Sequence, residues 1–231
     1  VYDKDKRLLR LTLADDEQYR LWVPLGDMSP QLVEAVLLHE DRHFYHHFAV
    51  NPVALGRALW TTYVSRERRV GGSTISMQVA RMKYHLYSRS AGGKLRQILR
   101  AIWIELRYSK ADILEAYLNL VPVGKNIQGV GAASFVYFGK PPSKLQLVES
   151  LTLAVIPQSP AKRAPSKEDS QALQTAREAL FQKWVKRHPT AQRDADLIKL
   201  KLSLHNPHEL PFRATHFVDS VLTGKHSGTH V

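Results

Sequence analysis

The segment HEDRHFYHH, residues 39–47, holds a dense group of ionisable side chains. It follows the apolar run LVEAVLL, which repeats at helical spacing, and Glu40 continues the same stripe. Because a carboxyl group on the inner face of a helix is costly to ionise, it usually has a raised pKa or a charged partner. Glu40 is therefore a candidate general base or acid, and a glutamate paired with a neighbouring arginine is the equally weighted alternative.

The histidines of this segment raise another interpretation, a metal site. His39 and His43 stand one helical turn apart and could bind a cation from one helix face, as paired histidines do in zinc enzymes. The sequence offers no obvious third ligand. Solvated or locally hydrogen-bonded histidines are therefore favoured, and no metal-binding residue is assigned.

A second segment, RRVGGSTISMQVARM, places cationic residues and a glycine pair before a helix start. Backbone N–H groups at such a terminus, together with the helix dipole, favour a phosphate group. The Gly-Lys-[ST] ending of a Walker A loop is missing, and a simple N-cap by Ser73 is the structural alternative. Further donors for a pyrophosphate group follow in Gln78, Lys94 and Arg96.

The composition favours an anionic partner. The 231 residues contain 33 Lys and Arg against 21 Asp and Glu, a formal net charge of +12. Aromatic and cationic residues alternate in LWTTYVSRERR and RMKYHLYSRS, as in proteins that bind an anionic membrane surface or single-stranded nucleic acid. No RNP-like or zinc-finger motif supports nucleic acid, so the membrane surface is preferred and nucleic acid is not expected.

Two sequence features narrow the chemistry further. The chain has no cysteine, which excludes disulfides and thiolate catalysis. It also has no apolar stretch approaching the roughly 18 to 20 residues of a spanning helix. An anchor helix, if the protein works at a membrane, is expected to lie outside this chain.

The pattern of elements predicts a mainly α protein. Residues 1–28 alternate apolar and polar residues around acidic turns, as in a short N-terminal β-hairpin. Residues 29–202 form the expected catalytic domain, and residues 203–231 a C-terminal linker or tail. Helix starts are predicted at Ser29–Pro30, at a Ser109–Asp112 capping box and at a Ser166–Asp169 capping box, and helix ends at Gly124 and Gly139.

Four motifs in order, EDRHFYHH, GGSTISMQVAR, GKLRQ and RYSKADILEAYLNLVPVG, resemble those of the peptidoglycan glycosyltransferase domain of class A penicillin-binding proteins and monofunctional transglycosylases. The similarity runs over residues 30–165, and the spellings SMQ and GKLRQ resemble the penicillin-binding protein 1C branch most. The resemblance implies a lysozyme-like glycosyltransferase fold with a larger helical lobe and a smaller, membrane-dipping lobe.

The resemblance also implies the reaction, polymerisation of lipid II into glycan strands with inversion and release of polyprenyl pyrophosphate. The expected location is the periplasmic face of the bacterial inner membrane. The expected partners are lipid II, the growing glycan strand, the membrane surface and a cell-wall synthesis complex.

Site roles follow from the resemblance position by position. Glu40 would be the general base that takes the proton from the acceptor 4-hydroxyl, and Asp41 would orient neighbouring donors. The implied substrate-binding residues are Ser73, Thr74 and Gln78 in the donor site, Lys94 on the pyrophosphate with added charge from Arg81 and Arg96, and Glu115, Tyr117 and Asn119 as braces of the cleft.

The sequence departs from the family at several positions. The third motif of the family usually ends in a second glutamate, and Gln97 stands at that position here. The resemblance places Gln97 among the catalytic positions with Glu40 and Asp41. An amide cannot act as a base and is a poor ligand for Mg²⁺, so a divalent cation (Mg²⁺ or Mn²⁺) is allowed but not required. Ala49 and Asn51 replace a frequent glycine and aspartate, a change expected to be minor. Transpeptidase motifs are absent, which fits a truncated bifunctional protein better than a monofunctional one.

Two other functions stay open. A lysozyme-like muramidase or lytic transglycosylase shares the implied fold, and Gln97 suggests a weakly active module that binds glycan or lipid II. Chemistry favours the transferase, because pyrophosphate departs as a stable anion and needs only a base and a cationic cradle. A hydrolase must also protonate the leaving oxygen.

Overall fold

The computed structural model describes residues 16–50, 73–86, 90–124, 126–163 and 170–199, together with residues 8, 10, 11, 13, 14 and 202. Expectations that concern residues 51–72, 164–169 and 203–231 lie outside the described residues. The described part is mainly α-helical, which confirms the predicted fold class. The division into a larger and a smaller lobe stays a prediction.

The secondary structure of the described residues begins with a two-residue strand. In chain order, the helices are α1 (Pro30–Glu40), α2 (Ile75–Lys83), α3 (Ala91–Arg107), α4 (Lys110–Leu120), α5 (Val130–Phe138), α6 (Leu147–Val155), α7 (Pro160–Arg163), α8 (Gln171–Arg187) and α9 (Ala195–Lys199). Short 3₁₀ turns occupy Leu25–Asp27, Phe44–His46, Pro142–Lys144, Ile156–Gln158 and Pro189–Asp194. The strands are β1 (Tyr19–Arg20) and β2 (Ile127–Gln128).

Local sequence signals set most helix ends. The Ser109 hydroxyl and the Asp112 carboxylate form the predicted capping box of α4. Gly139, in the left-handed region at φ +64°, ends α5 as predicted. The predicted capping box at Ser166–Asp169 lies outside the described residues, and the described helix α8 has Ser170 as its N-cap. One expectation is wrong. Helix α4 already ends at Leu120, because the backbone of Val121 is extended, and Gly124 is therefore not its stop.

The N-terminal segment contains a tight turn, with Ala14 and Gln18 joined by a backbone hydrogen bond and an antiparallel bridge between Leu13 and Tyr19. This part matches the predicted hairpin. The strand β1 itself, however, pairs in parallel with β2, more than one hundred residues later. Apolar alternation could not reveal this pairing, because it depends on where α4 and α5 place β2.

Two groups of helices meet around the buried helix α5. Helix α1 packs on α6 and α8, while α2 packs on α3 and α4. Every residue of α5 is buried. Glu40 ends α1, and its side chain reaches Gln78 of α2 across the junction of the two groups. Within the described residues, no helix combines the length and apolar character that crossing a bilayer requires.

Candidate active site

Glu40 is the last residue of α1, and its side chain is only 7% exposed. The Nε2 atom of Gln78 donates a hydrogen bond of 2.7 Å to Oε2 of Glu40. The other carboxylate oxygen, Oε1, is buried without a hydrogen-bond partner among the described residues. Burial raises the pKa of Glu40, opposed by the Gln78 and Gln158 amides and by the Arg163 and Arg81 charges. The predicted direction of the pKa shift is confirmed.

Asp41 follows Glu40 in the sequence, but its carboxylate contacts different residues from those that contact Glu40. His47 Nε2 lies 2.8 Å and 2.9 Å from the two oxygens of the buried Asp41 carboxylate. The backbone N–H of Ile75 also donates to Asp41 Oδ2, at 3.3 Å. Asp41 therefore joins the end of α1 to the start of α2. Of the two carboxylates, Glu40 is the one with a buried oxygen that has no hydrogen-bond partner among the described residues.

The helix start of α2 differs from the expected N-cap. Thr74, not Ser73, is the capping residue, because its Oγ1 accepts from the backbone N–H of Met77. The buried Thr74 hydroxyl also donates to the carbonyl of Ala49. Thr74 is thus occupied in fixing the turn. Ser73 is free of the capping role, and its Oγ accepts a hydrogen bond of 2.6 Å from Lys94 Nζ.

Lys94 and Gln97 lie about one turn apart on the same face of α3, and their side chains contact each other. Lys94 Nζ donates to Gln97 Oε1 at 3.2 Å, and Gln97 Nε2 donates to the backbone carbonyl of Met77 at 2.6 Å. Burial, with the nearby Arg81 charge, lowers the pKa of Lys94. Arg81 also acts on Glu40, so the base and the cation lie within electrostatic reach of one charged side chain.

Arg96 is not brought to this group. It is exposed and lines a surface cavity of about 320 Å³ together with Leu86, Ser90, Gly92 and Gly93. Helical geometry explains the difference, because residues 94 and 97 share a face of α3 and residue 96 does not. The implied role of Arg96 beside the pyrophosphate stays a prediction without a contact to support it.

The residues of the fourth motif separate into two sets. Glu115 accepts from Trp22 Nε1 at 3.0 Å and from the backbone N–H of Leu25 at 2.8 Å. Asn119 binds the backbone N–H and carbonyl of Val23 at 2.8 Å and 2.9 Å. Both side chains hold the extended segment before α1 against α4. These contacts hold two chain segments together, and the implied role of the two residues as braces of the cleft stays a prediction.

Tyr117, between them, faces the base instead. It is fully buried, and its hydroxyl has no partner among the described residues. Burial and the Glu40 charge raise the pKa of Tyr117 well above its usual value, while the Arg81 charge lowers it. Tyr117 is therefore a neutral hydroxyl close to the base.

The sequence interpretation missed the environment of His39, which it treated as solvated or locally hydrogen-bonded. Its side chain is 10% exposed, and its Nε2 lies 3.9 Å from Glu40 Oε1. Burial lowers its pKa to about 4, assisted by the Lys183 and Arg163 charges and opposed by the Gln158 amide. His39 is thus a neutral imidazole beside the base. The available signal was its place within the apolar stripe, one residue before Glu40.

Residues 39–43 also spell H-E-x-x-H, a zinc motif whose spacing requires one continuous helix. Here α1 ends at Glu40, so His43 lies outside the helix, exposed, where it accepts from Arg42 Nε at 2.9 Å. The two histidines therefore do not share a helix face. Among the described residues, no group of three or more His, Asp or Glu side chains could hold a metal ion.

A divalent cation, which the sequence allows but does not require, does not fit at residue 97. The Gln97 oxygen faces the Lys94 ammonium, and its nitrogen faces a backbone carbonyl. A cation at this oxygen would be adjacent to a positive charge, and the amide oxygen that would bind it is itself uncharged.

Ala49, expected to be a minor change from glycine, adopts φ +51°, in the left-handed region that favours glycine. Its methyl group is fully buried. The substitution therefore adds local backbone strain beside the Thr74 contact, which contradicts the expectation that it is inconsequential.

Comparison with known proteins gives a consistent result. The model of a family described as Transglycosylase matches residues 5–185. Penicillin-binding protein 1C of Escherichia coli is 43% identical over 152 residues, covering 66% of this chain and 20% of that protein. Penicillin-binding protein 1A of Aquifex aeolicus is 33% identical over 204 residues, covering 88% of this chain and 28% of that protein. The chain thus spans less than a third of the length of these relatives.

Proposed function

Because the chain belongs to the transglycosylase family, we propose that it is a peptidoglycan glycosyltransferase that polymerises lipid II into glycan strands. The observation that carries the proposal is the buried Glu40, whose pKa is raised. The charge of Arg81 acts on both Glu40 and Lys94, so the carboxylate and the ammonium lie in the same region. A base with a raised pKa ionises nearer to neutral pH and accepts a proton more readily.

The proposed reaction transfers the donor sugar with inversion. Glu40 takes the proton of the acceptor 4-hydroxyl as that oxygen attacks the anomeric carbon of the donor. The bond from this carbon to the phosphate oxygen breaks, and polyprenyl pyrophosphate leaves with the bonding electrons. Lys94, held by Ser73 and Gln97, offers positive charge to the leaving phosphates. This chemistry needs no second carboxylic acid, which agrees with an Asp41 that is bound to His47.

A membrane surface is proposed as a partner from the outer face of α3. Large apolar side chains are exposed there at helical spacing, namely Leu95, Leu99, Trp103 and Leu106. Two arginines border them, with the Arg100 guanidinium over the Tyr84 ring and the Arg107 guanidinium over the Trp103 ring. Such a face suits the boundary between headgroups and acyl chains. This exposed face of α3 supports the proposal that the protein acts at the periplasmic face of the bacterial inner membrane, where lipid II would be presented.

The test is polymerisation of purified lipid II in detergent, with the products resolved by size. Wild-type protein is expected to form glycan polymer, and Glu40→Gln is expected to lower the rate at least about a hundredfold. Glu178→Gln, on the exposed face of α8, is the matched control and should polymerise normally.

The same experiment separates the alternatives. A muramidase would instead release soluble fragments from finished peptidoglycan. A binding module would retain lipid II without turnover. Polymer formation at equal rates by the wild type and Glu40→Gln would exclude the proposed base.

A further inference from the structure

The side-chain amide of Gln97 has a single allowed orientation. The side chain is buried, with 1% of the residue exposed. The carbonyl of Met77 can only accept a hydrogen bond, and the ammonium of Lys94 can only donate. Turning the amide over would place oxygen against oxygen and nitrogen against nitrogen. The amide oxygen therefore has a partner that can only donate, and the amide nitrogen has a partner that can only accept.

A carboxylate could not replace this amide without loss. One oxygen of a glutamate at position 97 would face the Met77 carbonyl at the 2.6 Å separation now bridged by an N–H group. The second oxygen would form an ion pair with Lys94 and neutralise its charge. The contact with Met77 would thus become repulsive, while the ammonium would lose attraction for any other anion.

The neutral amide leaves the Lys94 charge available. An ammonium group has three N–H bonds, and two are directed at Ser73 Oγ and Gln97 Oε1. Both acceptors are neutral. The third N–H is fixed in direction by the other two, and among the described residues no acceptor is recorded for it.

We propose that Gln97 is a positioning residue, which holds the Lys94 ammonium for a pyrophosphate group while leaving its charge unneutralised, so that no divalent cation is needed at position 97. This inference rests on the proposed function for the identity of the anion. It differs from the idea that Gln97 marks a weakened site, because the amide here has a role that glutamate cannot perform.

The experiment measures binding of geranyl pyrophosphate, a soluble short-chain polyprenyl pyrophosphate, by calorimetry in EDTA. The proteins are wild type, Gln97→Glu, Gln97→Met, Lys94→Met and the double variant Lys94→Met/Gln97→Met. Lys199→Met removes an exposed cation of α9 and controls for net charge. Thermal unfolding of each variant records the folded fraction, and Gln97→Met keeps the test possible should the glutamate variant fail to fold.

The wild type should bind without metal, and each single variant at positions 94 and 97 should bind at least about tenfold more weakly. The double variant should bind no more weakly than Lys94→Met, because Gln97 acts through Lys94. A purely structural role would give additive effects instead. Wild-type affinity in Gln97→Glu, additive losses, or absence of metal-free binding by the wild type would each overturn the proposal.

Lipid II turnover separates this proposal from the proposed function. Polymerisation by the wild type with unchanged pyrophosphate binding in Gln97→Glu would reject only the positioning role. Tight, Lys94-dependent binding without polymerisation would reject only the glycosyltransferase function.

Discussion

Gln78 donates a hydrogen bond of 2.7 Å to one oxygen of Glu40 and leaves the second oxygen without a hydrogen-bond partner among the described residues. Together with the contact between Asp41 and Ile75, this hydrogen bond joins the end of α1 to α2. It also opposes the effect of burial, since an N–H donor favours the ionised carboxylate. Gln78 therefore holds the Glu40 carboxylate in one orientation, while burial still keeps its pKa above the ordinary value.

Replacing Gln78 should make the base harder to ionise. In Gln78→Met the carboxylate loses the larger of its two amide contributions, so the pKa of Glu40 should rise further above its ordinary value. The acidic limb of the pH profile of kcat/KM should move to higher pH, because the base must be ionised to react. Gln182→Met, an exposed amide on α8, should leave the limb in place. A shift to lower pH would contradict this role of Gln78.

Removing the Glu40 charge should stabilise the fold at neutral to alkaline pH. Burial raises the pKa of Glu40 in the folded protein above that of the unfolded chain. The stability contributed by this group is therefore complete below the unfolded pKa and is lost as pH rises through the folded pKa. Glu40→Gln should melt at a higher Tm than wild type near pH 8, and the difference should shrink as the pH approaches about 4. A difference that grows on acidification would reject the argument.

Two buried tyrosines provide a matched pair for the cost of losing a hydroxyl. Tyr137 donates to the carbonyl of Val123 at 2.9 Å, whereas the Tyr117 hydroxyl has no partner among the described residues. Tyr137→Phe should lower the free energy of unfolding by about 1 kcal/mol, while Tyr117→Phe should leave it unchanged or raise it. Urea unfolding measures both. A larger loss in Tyr117→Phe than in Tyr137→Phe would reveal a hydrogen bond that this arrangement lacks.

Two helical glycines should respond oppositely to alanine. A Cβ atom at Gly131 of α5 would meet the carbonyl oxygen of Leu21 and would lie 2.7 Å from Val23 Cγ2, whereas one at Gly92 of α3 would meet nothing within 4 Å. Gly131→Ala should lower the free energy of unfolding by about 1 to 3 kcal/mol. Gly92→Ala should raise it by up to about 1 kcal/mol through helix propensity. Equal effects in urea unfolding would count against the close approach of α5 to the N-terminal segment.

Local patterns were enough to predict part of this structure. The helical stripe identified Glu40 and the direction of its pKa shift, and the Ser109–Asp112 spacing identified a helix start. Both depend on residues that are neighbours in sequence, so one segment contains the whole signal.

Long-range contacts account for most of what the sequence did not predict. Thr74 rather than Ser73 caps α2 because Ala49 and Lys94, both distant in sequence, engage these two hydroxyls. The neutral state of His39 depends on burial and on charges from α7 and α8. The parallel pairing of β1 with β2 likewise requires knowledge of the fold.

The hydrogen bond from the Ile75 amide to the Asp41 carboxylate spans 34 residues and has a consequence for sequence variation. It fixes the two ends of the intervening chain to each other directly beside Glu40 and Gln78. The distance between Glu40 and its donor Gln78 is therefore set by contacts at the two ends of this stretch and does not depend on its length. Insertions between the two ends should leave the Glu40–Gln78 hydrogen bond in place.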